Sequence, residues 1–217
     1  MAIGVLTTGS HPRSQRTAIW LLAALVLATL TGAPRAEAAS KTTATTTQVY
    51  FIRGFMGVFS TGFDTMAKTL AKSGVTAKVY GHLSGAAIRS AIVEENAGSK
   101  RNKPVILVGH SFGGNAALQV AAGLRRDNIP VALVVTVDPT RGGPLSANVR
   151  RYVNFFFPGN GLGSRLKSAS GVPQSRITNI DMRKRTDVAG AGDDHWTVTH
   201  NAAIQSEILK LVKRAAR

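Results

Sequence analysis

Val105-Ile106-Leu107-Val108-Gly109-His110-Ser111-Phe112-Gly113-Gly114 runs straight into Asn115-Ala116-Ala117-Leu118-Gln119-Val120-Ala121-Ala122. The first four residues are apolar and mostly β-branched, as a buried strand requires, and the Ala- and Leu-rich run after the glycines predicts a helix. Between them lies Gly-x-Ser-x-Gly, with Ser111 at the apex of a strand-to-helix turn. Such a turn strains the backbone and brings neighbouring elements so close that a Cβ on either flank would clash, which is why glycine is needed at 109 and 113. The pentapeptide alone is a weak signal and could be a glycine-rich turn without chemistry. Its position between a β-branched strand and an Ala/Leu helix makes Ser111 a candidate nucleophile.

Outward from this stretch, apolar runs and helical repeats alternate. Gln48 to Ile52 reads as a buried strand, Phe63 to Lys72 as a helix stopped by Gly74, and Thr76 to Tyr80 as a second strand. Ala86 to Glu95 has Ala87, Ile88, Ala91 and Ile92 on one helical face, and Val131 to Val137 is another continuous apolar run. Tyr152 to Phe157 and Ile177 to Met182 are further strand candidates, and Asn201 to Arg214 closes the chain as an amphipathic helix with Ile204, Ile208, Leu211 and Val212 inward. Strands that are apolar on both faces and alternate with helices predict an α/β fold: a doubly wound, mostly parallel sheet of about six strands with helices on both faces. In such a sheet the site belongs at the carboxyl ends of the strands, where Gly54, Ser111 and Asp138 all stand. The segment from Gly159 to Gly171 is long and glycine-rich, the form of a mobile binding loop.

The N-terminus reads differently. Arg13 and Arg16 precede an apolar run from Ala18 to Leu30, which ends in small residues and an Ala36-Glu37-Ala38 site. This three-part form is that of a secretory signal over residues 1–38, and the run is short for a membrane span of about 20 residues, although an uncleaved anchor is the alternative. Residues 39–47 read as a Thr-rich flexible leader and 48–217 as one domain, placing the protein in the periplasm or outside the cell.

The chain has no cysteine, which excludes a disulfide, a thiolate nucleophile and a Cys-ligated metal. Its formal charge is +16; without Arg13, Arg16, Arg35 and Glu37 of the signal segment, 24 basic and 10 acidic residues remain. Such a surface would attract an anionic membrane or another polyanion. The bland reading, solubility alone, fits the scatter of the charges, and no recognition helix or aromatic stacking motif points to nucleic acid.

A serine hydroxyl needs an imidazole to take its proton, and the imidazole needs a carboxylate to fix its tautomer and stabilise its charge. Asp138 stands at the tip of the run Val131 to Val137, with an Asp-Pro turn as its ordinary reading, and Asp181 competes for the same role. His195 lies in a glycine-rich loop before the last helix, with His200 close behind as the alternative. His110 adjoins the serine, points the wrong way for a base and reads as a packed histidine, while His82 could border a pocket.

Gly109-His110-Ser111-Phe112-Gly113, Val137-Asp138-Pro139 and Asp194-His195-Trp196 together resemble the α/β-hydrolase superfamily, in particular its small bacterial esterases, lipases and thioesterases. The resemblance covers about Gln48 to the C-terminus and follows the superfamily's order Ser, Asp, His. It implies a minimal α/β-hydrolase without a large lid, Ser111, Asp138 and His195 as a catalytic triad, and an oxyanion hole from the backbone amides of Phe112 and Phe55. Family members often carry His-Gly in the loop after the first strand, where this chain has Arg53-Gly54. That departure keeps a backbone donor and puts a cation near the pocket. Phe55, Met56, Phe59, Phe155, Phe156 and Phe157 are candidates for an apolar acyl pocket, with ordinary core positions expected for many of them.

The expected chemistry is hydrolysis of a small-molecule or lipidic ester or thioester through an acyl-enzyme, without cofactor or metal. The alternatives are acyl transfer on the same triad and a catalytically silent fold that binds anionic lipid or polymer.

Overall fold

The computed structural model describes residues 1, 47–98, 103–159, 161–189 and 191–217. The chain divides into two units, Met1–Thr43 and Ala44–Arg217, and the second carries the sheet. The expected signal and most of the expected leader, residues 1–46 apart from Met1, lie outside the described residues. Thr47, the last leader residue, is buried, and its Oγ1 donates to the Ala216 carbonyl at 3.2 Å.

Six strands form one sheet: β1 (Gln48–Ile52), β2 (Ala77–Tyr80), β3 (Val105–His110), β4 (Val131–Val137), β5 (Tyr152–Phe156) and β6 (Ile177–Asp181). Their order is β2-β1-β3-β4-β5-β6 and every pairing is parallel. Five helices complete the unit among the described residues: α1 (Gly62–Ala71), α2 (Gly85–Asn96), α3 (Phe112–Leu124), the short α4 (Thr186–Ala189) and α5 (Ala202–Ala215). The strands and α1, α2 and α5 fall within a residue or two of the periodicity in the sequence, whereas α3 starts three residues earlier, at Phe112, and α4 was not expected.

Because side chains alternate along a strand, the sheet supplies two cores. Val49 and Phe51 of β1 join Val108 and Val135 under α1 and α5, where Phe63, Met66, Ile204 and Ile208 are buried. Tyr50 and Ile52 face the other way, with Leu107 and Val134, onto Ile88 and Ile92 of α2 and Leu118 and Ala121 of α3. Asn201 caps α5 by accepting hydrogen bonds from the N–H groups of Ala203 and Ile204, so the helix begins one residue after the position expected from its apolar face.

The chain winds from β1 outward to β2, then returns to place β3 on the other side of β1. Between the carboxyl ends of β1 and β3, the two connections therefore leave in opposite directions and open a crevice. Ser111 follows β3 at this crevice, and Gly54 follows β1.

One polar row crosses the buried half of the sheet. Thr136, Asn154 and Asn179 are in register on β4, β5 and β6, and Thr136 Oγ1 donates to Asn154 Oδ1 at 2.7 Å. Asn154 Nδ2 then donates to Asn179 Oδ1 and to the Ser164 carbonyl, while Asn179 exchanges two hydrogen bonds with the backbone of Leu166. Ser164 N–H adds a bond to Pro139 O at 2.7 Å. The segment expected to be a mobile binding loop is thus laced to the sheet at Ser164 and Leu166.

Candidate active site

Ser111 sits at φ 56° and ψ −124°, a conformation that side-chain-bearing residues rarely adopt. Its neighbours explain how the turn is held. A Cβ on Gly109 would lie 2.1 Å from the Gly113 carbonyl oxygen, and one on Gly113 would lie 2.1 Å from that of Ile52. No side chain fits at either place, so β1, β3 and α3 close up around the serine.

His195 Nε2 is 3.0 Å from Ser111 Oγ, and His195 Nδ1 is 2.7 Å from Asp138 Oδ2. A carboxylate can only accept, so Nδ1 carries the imidazole proton and Nε2 presents its lone pair to the serine hydroxyl. Asp138 is itself held: its Oδ1 accepts from Phe157 N–H at 2.8 Å, and its own N–H donates to the Phe155 carbonyl. A Cβ on Gly163 would lie 1.9 Å from Asp138 Oδ1, so the glycine-rich segment packs directly over the carboxylate. Ser111, Asp138 and His195 are 5%, 0% and 3% exposed, which shields their hydrogen bonds from competing water.

The structure keeps the two alternative residues apart from this chain. Asp181 ends β6 and is engaged by Arg183, whose guanidinium holds its carboxyl below the usual range. His200 Nε2 is 2.8 Å from Thr61 Oγ1 at the start of α1.

His110 is packed as expected, and its packing has more structure than the sequence reveals. Its Nε2 lies 2.8 Å from the His195 carbonyl oxygen, so that nitrogen must carry the hydrogen. Its Nδ1 is then an acceptor for the Ser60 hydroxyl, 2.8 Å away, and Ser60 Oγ accepts from Gly54 N–H at 3.0 Å. A continuous run of hydrogen bonds therefore ties the loop after β1 to the loop carrying His195. Burial, reinforced by the neighbouring His195, pushes the His110 pKa down to about 4. Thr199 Oγ1 strengthens the same junction by donating to the Phe59 carbonyl at 2.9 Å. Ser60 and Thr199 carry no motif, and sequence reading passed over both.

A cavity of about 80 Å³ opens above Ser111 and is lined by Phe55, Phe59, Phe112, Leu162, Trp196 and their neighbours. Phe112 opens α3, so its N–H has no carbonyl one turn back to bond. Gly54 N–H is committed to Ser60, which leaves Phe55 N–H as the next donor of that loop. Phe155, Phe156 and Phe157 do not reach this cavity. Successive side chains point to opposite faces, and all three are buried in the sheet's packing, which corrects the expectation that they line an acyl pocket. Met56 lines the adjoining cavity of about 420 Å³ together with Arg53 and His82. The Arg53 cation is paired with Asp64. Among the described residues, no group of three or more His, Asp or Glu could hold a metal ion.

A family model described as "Alpha/beta hydrolase family" matches residues 53–207. Comparison with curated proteins gives no match. Among solved structures, the chain is similar to a protein classed as a hydrolase of the alpha/beta superfamily from Xanthomonas campestris pv. campestris, at 19% identity, with 77% of this chain and 99% of that one covered and a TM-score of 0.43. It is also similar to human thioesterase 2, at 13% identity, with 79% and 98% covered and a TM-score of 0.44.

Proposed function

Since the chain belongs to the alpha/beta hydrolase family, we propose that it is an exported serine hydrolase that cleaves carboxylic esters or thioesters through Ser111, His195 and Asp138. One observation carries the reading: the unbroken hydrogen-bond chain from Ser111 Oγ through His195 to Asp138 at the crevice of the sheet. Export rests on the basic, apolar and small-residue pattern of residues 1–38.

In this reading Ser111 Oγ attacks the acyl carbonyl as His195 Nε2 takes its proton, and Asp138 stabilises the imidazolium without itself accepting the proton. The oxyanion meets the amides of Phe112 and Phe55, whose preorganised donation is worth about 3 kcal/mol each in comparable sites. Collapse breaks the bond to the alcohol or thiol, which leaves with the proton from His195. Water then repeats the attack on the acyl-enzyme, with His195 again acting first as base and then as acid. Ser111 is regenerated and the carboxylic acid departs.

A fluorophosphonate probe tests this reading by intact mass, with Ser111→Ala alongside. One adduct on the wild type and none on the variant is the expected result. A folded wild type that stays unmodified would refute an activated Ser111.

A further inference from the structure

From Thr47 onward, the large apolar side chains left exposed among the described residues lie after the carboxyl ends of the strands. Phe55, Met56, Val58 and Phe59 are 59%, 72%, 57% and 40% exposed in the loop after β1, and Leu83 is 87% exposed after β2. Phe112 and Trp196, at 48% and 46%, complete the set after β3 and beside His195. Two ring clusters flank the nucleophile. Phe55, Phe112 and His82 lie within 6.3 Å of one another between ring centres on one side, and Phe59 meets Trp196 edge-on at 4.7 Å on the other. Apolar groups gathered around one mouth mark a contact surface, because scattered exposure would place them over the whole molecule.

At the mouth end Arg53, Arg183 and Arg185 are paired with Asp64, with Asp181, and with Asp187 and Glu207, and Arg141 and Lys184 follow β4 and β6, whereas cations gather without an acid among them at the opposite end. Lys103, Arg150, Arg176 and Arg217 line a cleft of about 410 Å³ beneath the amino ends of the strands, and Arg151 and Arg214 line its neighbour, which shares Arg150 and Arg176. An anionic surface would be drawn to that end and would turn Ser111 away from itself. The contact that the mouth itself offers is mainly apolar.

The geometry points to an uncharged or zwitterionic lipid layer as the occupant of the mouth, with the hydrolase taking its ester from the boundary between headgroups and acyl chains. The chemistry of the substrate rests on the reading given under Proposed function, whereas the docking does not. The cavity over Ser111 supports a lipid source. At about 80 Å³ it is well below the several hundred Å³ of an enclosing ligand pocket, so it admits the reacting ester and the first carbons of a chain. The remainder of the chain then lies along the rim, shielded from water once Leu83, Met56 and Val58 enter the lipid. A second copy of the protein on the same face would cover the mouth and exclude substrate. Among the described residues no helix is long and apolar enough to cross a membrane.

The test uses full-length Ser111→Ala, which binds without turnover, in flotation with phosphatidylcholine vesicles and with vesicles containing phosphatidylglycerol, each at low and high salt. The companion protein adds Val58→Ser and Leu83→Ser, two exposed positions outside the catalytic machinery. Binding to phosphatidylcholine that is insensitive to salt, and weakened about tenfold or more by the two substitutions, is the expected result. In the background with Ser111 intact, the same pair should leave probe labelling and hydrolysis of a soluble short-chain ester unchanged. Binding confined to phosphatidylglycerol, lost in salt and indifferent to the pair, would overturn the inference and assign adsorption to the basic end. Sedimentation showing that the pair acts only by dissociating a dimer would overturn it as well. If vesicle binding behaves as expected and Ser111 takes no probe, the docking surface stands and the hydrolase reading fails.

Discussion

Acid should destabilise this fold through one buried side chain. His110 is 1% exposed and held neutral between the Ser60 hydroxyl and the His195 carbonyl, and its pKa is lowered to about 4, first by burial and then by the adjacent His195. In the unfolded chain an imidazole titrates near 6.5. The folded state therefore binds this proton less readily than the unfolded state. Its contribution is complete above pH 6.5 and is lost as the pH falls from there toward 4. At pH 4.5 the loss reaches about 2–3 kcal/mol, close to its full extent. Protonation also puts a hydrogen on Nδ1, where the Ser60 hydroxyl now donates, so Ser60 must reverse and the bond to Gly54 must survive on the remaining lone pair. The assay is urea unfolding of the wild type and His110→Gln at pH 7 and pH 4.5. Glutamine does not titrate and carries an amide N–H for the His195 carbonyl. The variant should start less stable at pH 7 and lose about 2 kcal/mol less on acidification than the wild type. Parallel losses in the two proteins would refute the assignment of acid sensitivity to His110.

Ser111→Ala and Asp138→Asn should each lower kcat by about 10⁴-fold or more, with KM nearly unchanged, in steady-state hydrolysis of a soluble ester. A loss at Asp138→Asn below about tenfold would return Asp181 to contention. Gly113→Ala should yield little folded protein on circular dichroism, because its Cβ would stand 2.1 Å from the Ile52 carbonyl oxygen, a backbone atom that cannot retreat. Ser60→Ala leaves Gly54 N–H and His110 Nδ1 without their shared partner, and should cost about 1–3 kcal/mol in urea unfolding. The same variant should lower kcat more than it raises KM, since it loosens the loop that carries Phe55 while the large apolar side chains that line the cavity stay in place.

The strand, turn and helix around Ser111 were legible because their constraint is local: glycine is demanded by contacts that the turn itself creates. The helices around them were legible for a similar reason, since a buried stripe imposes its period on the residues in order. The sequence favoured Asp138 but left Asp181 as a competitor, because both end strand candidates and both precede polar loops. The difference lies in three dimensions. Asp138 leaves β4 next to β3 and meets His195, whereas Asp181 leaves the outer strand β6, two places further along, where Arg183 occupies it. The aromatic run Phe155 to Phe157 misled for another reason. Composition marks those rings as apolar but does not say which face of the sheet takes them, and the packing consumed all three.

Ser60 and His110 show how function hides from pattern. Neither belongs to the Ser111, His195 and Asp138 chain, yet together they connect the loop that bears Phe55 to the loop that bears His195. In the proposed mechanism, two groups that must face the same carbonyl, an oxyanion donor and a proton acceptor, are set by loops that lie more than a hundred residues apart in sequence. Each loop would otherwise position its own group independently, and errors would add. A hydrogen-bonded tie through the nucleophile's neighbour makes the two positions depend on one another and on β3, the most central of the strands around the crevice. The low pKa of His110 follows from that placement, because a group that joins buried loops is itself buried. The acid sensitivity argued above is thus a consequence of how the site is aligned: a mutation that relieved it by exposing His110 would also release the two loops from each other.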